Sequence, residues 1–291
     1  MACVVRRSRP WLGTLVSMRV EGLREAAALT AIDAAFAEVA QIHRCMSFHD
    51  AESDISRLHQ AEVGAPVGID LRTVLVLECA LRMAAVSDGC FDPTVAAQLV
   101  AWGTLPRPAV PEAPDPLASW HDIELIDATH VRLRRRLWLD LGGIAKGYAV
   151  DRAIEILVRA GATQALVNAG GDLRVHGAQA ESVQLCIGAE RRAVATVEVA
   201  NAAVASSASH GAMQPLQGRW RGVHVHGRRR LPVGAATGVS VVAAQCMHAD
   251  ALTKVLMGAT PACSQRVLRS FGAQACIHST SRGLRMMGEA A

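Results

Sequence analysis

The chain predicts an α+β protein. An alanine-rich amphipathic stretch at residues 23–43 and a second strong stretch at 70–86 read as helices, and at least six short alternating or β-branched stretches read as strands or hairpins. The two kinds of element mix without a regular strand–helix–strand rhythm, which argues against a doubly wound parallel sheet. No internal repeat is visible, and residues 1–291 read as one domain.

In chain order, residues 14–20 (TLVSMRV) alternate as a first strand, and residues 23–43 carry Ile32, Phe36, Val39 and Ile42 at helical spacing. Asp50 to Ser53 is turn chemistry, with Ser53 placed to cap a short helix at 54–58. His49 and Asp54 read there as surface or capping residues. Asp70 is the expected N-cap of the next helix, and Ser87-Asp88-Gly89 its end. Asp92-Pro93 is a turn before a helical stretch from Thr94 to Trp102. Five prolines within 104–118 make that segment a surface loop. Residues 123–126 and 131–133 read as a hairpin. After it, Leu137-Trp138-Leu139 reads as a central strand ending at Asp140.

Residues 139–161, LDLGGIAKGYAVDRAIEILVRAG, organise the rest. A turn at Gly142-Gly143 opens a helix whose Val150, Ile154, Leu157 and Val158 share one face, and Gly161 stands where a C-cap glycine belongs. A glycine turn at a helix start presents free N–H groups and a partial positive charge, which suits a phosphate, and Lys146 in the first turn adds a point charge. Beyond it, Gly170-Gly171 inside a strand pattern implies a bulge or a close backbone approach to a ligand. Residues 183–187 and 193–199 are further strands, and ASSASHG reads as a polar loop. A short strand is expected at 223–226, and residues 238–244 are strand-like. A helix runs from about Met247 to Gly258, and 276–278 is a last strand.

Composition narrows the function. A net charge of +4 is modest, and 3% aromatic residues leave few stacking platforms, so single-stranded nucleic acid is not an expected partner. No apolar run approaches the roughly 20 residues that span a bilayer. The eight cysteines form no CxxC pair and sit in apolar segments, which reads as buried thiols in a reducing compartment rather than a zinc site. Arg6, Arg7 and Arg9 are followed by no apolar leader, so the chain as written reads as cytoplasmic; a start further upstream would allow a periplasmic, membrane-associated protein.

Five stretches combine into a resemblance that covers nearly the whole chain: LGT (12–14), MSFHDAESDISRL (46–58), GCFDPTVA (89–96), DLGGIAKGYAVDRA (140–153) with NAGGDLRVHG (168–177), and HADALTKVLMG (248–258). Their order and spacing resemble the ApbE family of FAD:protein FMN transferases. The resemblance implies an α+β fold and Mg²⁺-dependent cleavage of the FAD pyrophosphate. FMN would pass to a Ser or Thr hydroxyl of an acceptor protein, with release of AMP. Related activities are a Mg²⁺-dependent FAD pyrophosphatase and a flavin-binding protein without catalysis. Carried over by position, FAD contacts fall on Leu12, His49, Cys90, Phe91, Asp92, Asp140 and Lys146. Mg²⁺ would be held by the Gly143 carbonyl, Asp250 and Thr253, and His224 would be the base toward the acceptor hydroxyl. An imidazole suits that task near neutral pH.

The sequence also departs from the family pattern. HVHGRRRLPV (224–233) stands where HxxDPRTGxPV is usual, so the Asp-Pro is absent and His226 and His210 lie near His224. Many relatives carry a threonine four residues after the metal-binding aspartate. Here that position is Lys254, whose ammonium would compete with Mg²⁺ beside Asp250.

Overall fold

The computed structural model describes residues 4–187, 192–208, 213–216, 219–222, 224–233, 237–279 and 283–288. Chain order begins with β1 (Val5–Trp11), β2 (Thr14–Glu21), α1 (Glu25–Met46), α2 (Asp54–Gln60), β3 (Pro66–Gly68), α3 (Leu71–Val86) and α4 (Ala96–Ala101). It continues with β4 (Ile123–Leu125), β5 (His130–Leu133), α5 (Ala145–Arg159), β6 (Gln164–Ala169), β7 (Asp172–His176), β8 (Glu181–Ile187), β9 (Arg192–Val199) and β10 (Ala203–Ala208). The last elements are β11 (Met213–Leu216), β12 (Arg219–Gly222), β13 (Val225–His226), β14 (Leu231–Pro232), β15 (Thr237–Ala243), α6 (Cys246–Gly258), α7 (Pro261–Ser270), β16 (Gln274–Ser279) and β17 (Gly283–Met287).

An eight-stranded sheet in the order β1-β2-β6-β7-β10-β15-β16-β17 forms the backbone of the fold. Every neighbouring pair in it is antiparallel. Helices α1, α5 and α6 pack on this sheet and on one another. Strand β7 shows how alternation divides the two faces. Its Asp172 and Arg174 reach side chains of α5, while Leu173 and Val175 join a second apolar cluster with Leu185 and Val199 of the β8–β9 ribbon. On α5, Val150, Ile154 and Leu157 are buried in the main core, each worth about 1.5–3 kcal/mol of removed apolar surface.

The expected caps are in place. The Ser53 hydroxyl accepts from Ser56 N–H at 3.0 Å, and the Asp70 carboxylate accepts from Arg72 N–H at 2.8 Å. Gly161 has φ +96°, and the adjacent Ala162 N–H bonds back to Leu157 O, which closes α5.

Several expectations change. Leu137, Trp138 and Leu139 are buried but join no ladder: the Leu139 N–H donates to His59 Nε2 at 2.7 Å and the Asp140 N–H to Pro93 O at 2.8 Å. A side chain and a turn carbonyl satisfy this backbone where a neighbouring strand was expected. Asp54 is 3% exposed, not a surface residue, because it accepts from the Asp70 N–H and the Thr73 hydroxyl. Gly170-Gly171 is a tight hairpin turn between β6 and β7, with φ +68° and +109°, rather than a bulge. Ala205-Ser206-Ser207 is strand, since β10 pairs with β15 along its whole length. Strands β1 and β17 and helix α7 were not foreseen. For α7 the signal was present: Thr260 caps it and Pro261 opens it.

Candidate active site

A cleft of about 470 Å³ opens between the β1–β2 turn, the C-terminal end of α1, the α3–α4 connection, the glycine turn before α5, and α6. Such a volume falls in the usual range for small-molecule sites. The fold brings Leu12, His49, Cys90, Phe91, Asp92, Asp140 and Lys146 to its wall, together with Gly143 and His224. Leu12 sits in the two-residue β1–β2 turn with φ +57°, a left-handed conformation that costs a branched residue energy, and so stands at the cleft rim. His49 is exposed, and Phe91 is 6% exposed and packs in the core with one edge on the cleft. Gly142 donates its N–H to Asp140 Oδ1 at 3.0 Å, and burial pushes the Asp140 carboxyl above its ordinary range.

Two lysines line the cleft, and each is held by a buried aspartate behind the wall. Lys254 Nζ stands 2.5 Å from Asp250 Oδ1 and 2.9 Å from Ser207 Oγ. Lys146 Nζ stands 2.5 Å from Asp172 Oδ2. Asp250 is fully buried within α6, and its Oδ2 accepts from the Gly147 N–H at 3.2 Å. It lies in the interior of that helix, whose N-cap position is held by Gln245. Burial alone would raise the Asp250 pKa, but Lys254, Lys146 and the Gly147 N–H together hold it below the usual carboxylate range. Burial likewise opposes the charge on Lys146, and Asp250 and Asp172 outweigh it, so Lys146 stays protonated.

His224 is poised differently. Its pKa is pushed down to about 4, first by burial and then by repulsion from Lys254 and Lys146, so its imidazole is neutral at neutral pH. His226 lies on β13, where its Nδ1 accepts from the Arg229 N–H at 3.3 Å. His210 lies outside the described residues. The arginine run that follows is partly committed: Arg230, at φ +53°, places Nη2 2.8 Å from Asp92 Oδ2 and 2.9 Å from Thr94 Oγ1. Thr94 takes the other Asp92 oxygen through its N–H and hydroxyl. Asp92 therefore reaches the cleft with both oxygens engaged.

The residues expected to hold Mg²⁺ do not form a ready divalent site. Mg²⁺ requires near-octahedral oxygen donors. Here Asp250 Oδ1 is taken by the Lys254 ammonium. The Thr253 hydroxyl donates to Asp250 O and shares a 2.7 Å hydrogen bond with Ser207, and Thr253 does not line the cleft. At Gly143, Lys254 Cγ and Cε lie only 3.5 and 3.6 Å from where a Cβ would stand. Among the described residues, no group of three or more His, Cys, Asp or Glu side chains converges as a metal cluster.

A family model described as the ApbE family matches residues 12–277. The chain belongs to the ApbE family. A protein of Haemophilus influenzae named FAD:protein FMN transferase is 29% identical over 229 residues, which is 72% of this chain and 66%, just under two thirds, of that protein. A protein of Vibrio cholerae with the same name is 26% identical over 274 residues, 87% of this chain and 80% of its own length. An ApbE protein structure from Thermotoga maritima superposes with a TM-score of 0.86 at 22% identity, covering 98% of this chain and 97% of that one. The mixed helix and antiparallel-sheet architecture is thus an ApbE fold.

Four parts of this ApbE-family site escaped the sequence reading. Phe48 lines the cleft and meets His59 edge-on, with ring centroids 5.4 Å apart. Ser207 anchors Lys254 from β10. Arg230 reaches Asp92 across 138 positions of sequence. Gly147 allows α5 and α6 to touch: a Cβ there would stand 2.3 Å from Cys246 O. Only the last carried a signal, a glycine inside a strongly periodic helix.

Proposed function

We propose that this chain is an FAD:protein FMN transferase, acting on a Ser or Thr hydroxyl of an acceptor protein. FAD enters the cleft with its pyrophosphate at the Gly142-Gly143 turn, where the start of α5 and the ammonium groups of Lys146 and Lys254 favour negative charge. The acceptor hydroxyl loses its proton to neutral His224, and its oxygen attacks the phosphorus of the FMN half. The P–O–P link then breaks and its electron pair leaves with AMP. The two lysines stabilise the charge that builds on the phosphoryl oxygens and on the leaving AMP.

One observation carries the reading: His224, Lys146 and Lys254 line one cleft, and the two lysines help hold the histidine uncharged. Bound pyrophosphate offsets the lysine charges that depress His224, so it raises the basicity of that imidazole when substrate is present. The relatives named FAD:protein FMN transferase support the substrate class.

The test is to incubate the protein with FAD and an acceptor domain bearing a flavinylation-type Ser/Thr site, following AMP by chromatography and the acceptor by mass. AMP with FMN mass on the acceptor is the expected result. His224→Ala is expected to slow transfer by about 10²–10⁴-fold while FAD still binds. AMP accompanied only by free FMN would make water the acceptor and the chain a pyrophosphatase. Bound FAD without AMP would make it a flavin-binding protein.

A further inference from the structure

The structure assigns Lys254 as the resident cation of this cleft: its ammonium stands on Asp250 in place of a divalent ion, bridges that carboxylate to the pyrophosphate of FAD, and makes nucleotide binding independent of metal. The inference rests on FAD being the cleft's ligand.

Three separate contacts converge on this one side chain. Its Nζ is 2.5 Å from Asp250 Oδ1 and 2.9 Å from Ser207 Oγ. Its stem lies across Gly143, with Cγ and Cε in ordinary contact distance of the position a Cβ would take. Ser207 in turn shares a 2.7 Å hydrogen bond with Thr253. Of the residues the family resemblance proposed around a metal, Asp250 thus bonds the ammonium directly, Gly143 lies against the lysine stem, and Thr253 is tied to the ammonium's other partner, Ser207. The Asp250 side chain is wholly inaccessible, whereas Lys254 is 17% exposed and lines the cleft. An ion arriving from the cleft meets the ammonium before it meets the carboxylate, and like charge repels it.

The lysine also meets the chemical requirement. An ammonium carries three N–H donors. Two are committed to Asp250 and Ser207, which leaves one for a phosphate oxygen on the open side. Fixed by two partners and a packed stem, the group needs no reorganisation when the anion arrives. Lys146, held by Asp172, supplies a second fixed positive charge on the same wall.

The experiment measures FAD affinity in EDTA and in millimolar Mg²⁺, together with Mn²⁺ binding by electron paramagnetic resonance on FAD-free protein. For the wild type, FAD affinity should agree within about twofold between the two conditions, since a charge-assisted contact is already in place. No Mn²⁺ site that depends on Asp250 should be seen. Lys254→Thr should lose about tenfold in FAD affinity in EDTA, regain it with Mg²⁺, and acquire a Mn²⁺ site that a further Asp250→Asn change removes. Lys254→Met, isosteric along the stem, should lose affinity in both conditions, which keeps the test open if the threonine variant does not fold. A wild-type Mn²⁺ site abolished by Asp250→Asn, or a tenfold loss of FAD affinity in EDTA, would overturn the assignment. Failure of the wild type to bind FAD under either condition would instead sink the transferase reading, and the assignment with it.

Discussion

Asp151 and Asp250 are the same residue type, both nearly or wholly buried, on two helices that touch. Each reaches across to bond the backbone of the other helix. Asp151 of α5 accepts from the Cys246 and Met247 N–H groups at the start of α6, both at 2.9 Å, and from Arg174 at 2.8 Å. Asp250 of α6 accepts from the Gly147 N–H of α5 and from Lys254. The difference lies in the partners. Asp151 is saturated by two rigid backbone donors, so it acts as a distant cap for α6, which has no capping side chain of its own. Asp250 spends one oxygen on the Gly147 N–H and the other on the Lys254 ammonium, whose side chain lines the cleft. Burial therefore does not distinguish the two. What separates them is that a partner of Asp250, Lys254, lines the cleft, whereas the partners of Asp151 do not.

The largest expected effect breaks the structural half of that comparison. Asp151→Ala should destabilise the fold by about 3–5 kcal/mol, because it strands Arg174, the buried Cys246 N–H and the partly buried Met247 N–H. Asp250→Ala should cost roughly half as much or less, since Lys254 can turn to water in the cleft, while abolishing AMP release. Urea unfolding of both variants checks the ranking, and equal losses would erase the distinction.

The next effect carries the contrast to two histidines. His59, 2% exposed, is held neutral with a pKa pushed down to about 4 by burial, and its Nε2 accepts from the Leu139 N–H. Its unfolded pKa is near 6.5, so its contribution is fully present above that pH. It is lost as the pH falls toward 4, by up to about 3 kcal/mol. The urea midpoint followed from neutral pH into this window should fall, and His59→Asn should flatten the slope. His224 shares the low pKa but owes part of it to the lysines. Bound FAD should therefore raise the His224 pKa in a proton NMR titration and leave His59 unmoved.

Smaller still is Gly147→Ala, which should cost about 1–3 kcal/mol by forcing α5 from α6 at the 2.3 Å approach to Cys246 O. Because both aspartates bond across that contact, the variant should weaken FAD binding as well. A stability loss with unchanged FAD affinity would show that Asp250 does not depend on the helix contact.

The residues of the cleft were legible to very different degrees. The α5 stretch was readable because its glycine turn, its first-turn lysine and its apolar face are local, and a helix of period 3.6 announces its buried side. Lys254 was visible as a departure from the family pattern, but its partner Ser207 was not, since that serine was read as part of a loop. The strand character of β10 comes from pairing with β7 and β15, which no local pattern in ASSASHG records. The buried run at Leu137-Trp138-Leu139 looked like a strand for the converse reason: apolar, extended residues are necessary for a ladder but do not supply the neighbour.

The sequence by itself determined the α+β class, the main helices with their caps at Ser53 and Asp70, and the family. These depend on short-range periodicity, on capping chemistry within a turn, and on motifs whose spacing survives in one dimension. Only the tertiary structure decided which carboxylate does what. Asp151 and Asp250 lie 99 positions apart with similar local surroundings, and their roles follow from donors brought in by other elements: Arg174 from β7, Ser207 from β10, and backbone N–H groups across the α5–α6 contact. A buried charge takes its energy from partners within a few ångströms, and the partners that distinguish these two are supplied by the packing of the elements around them.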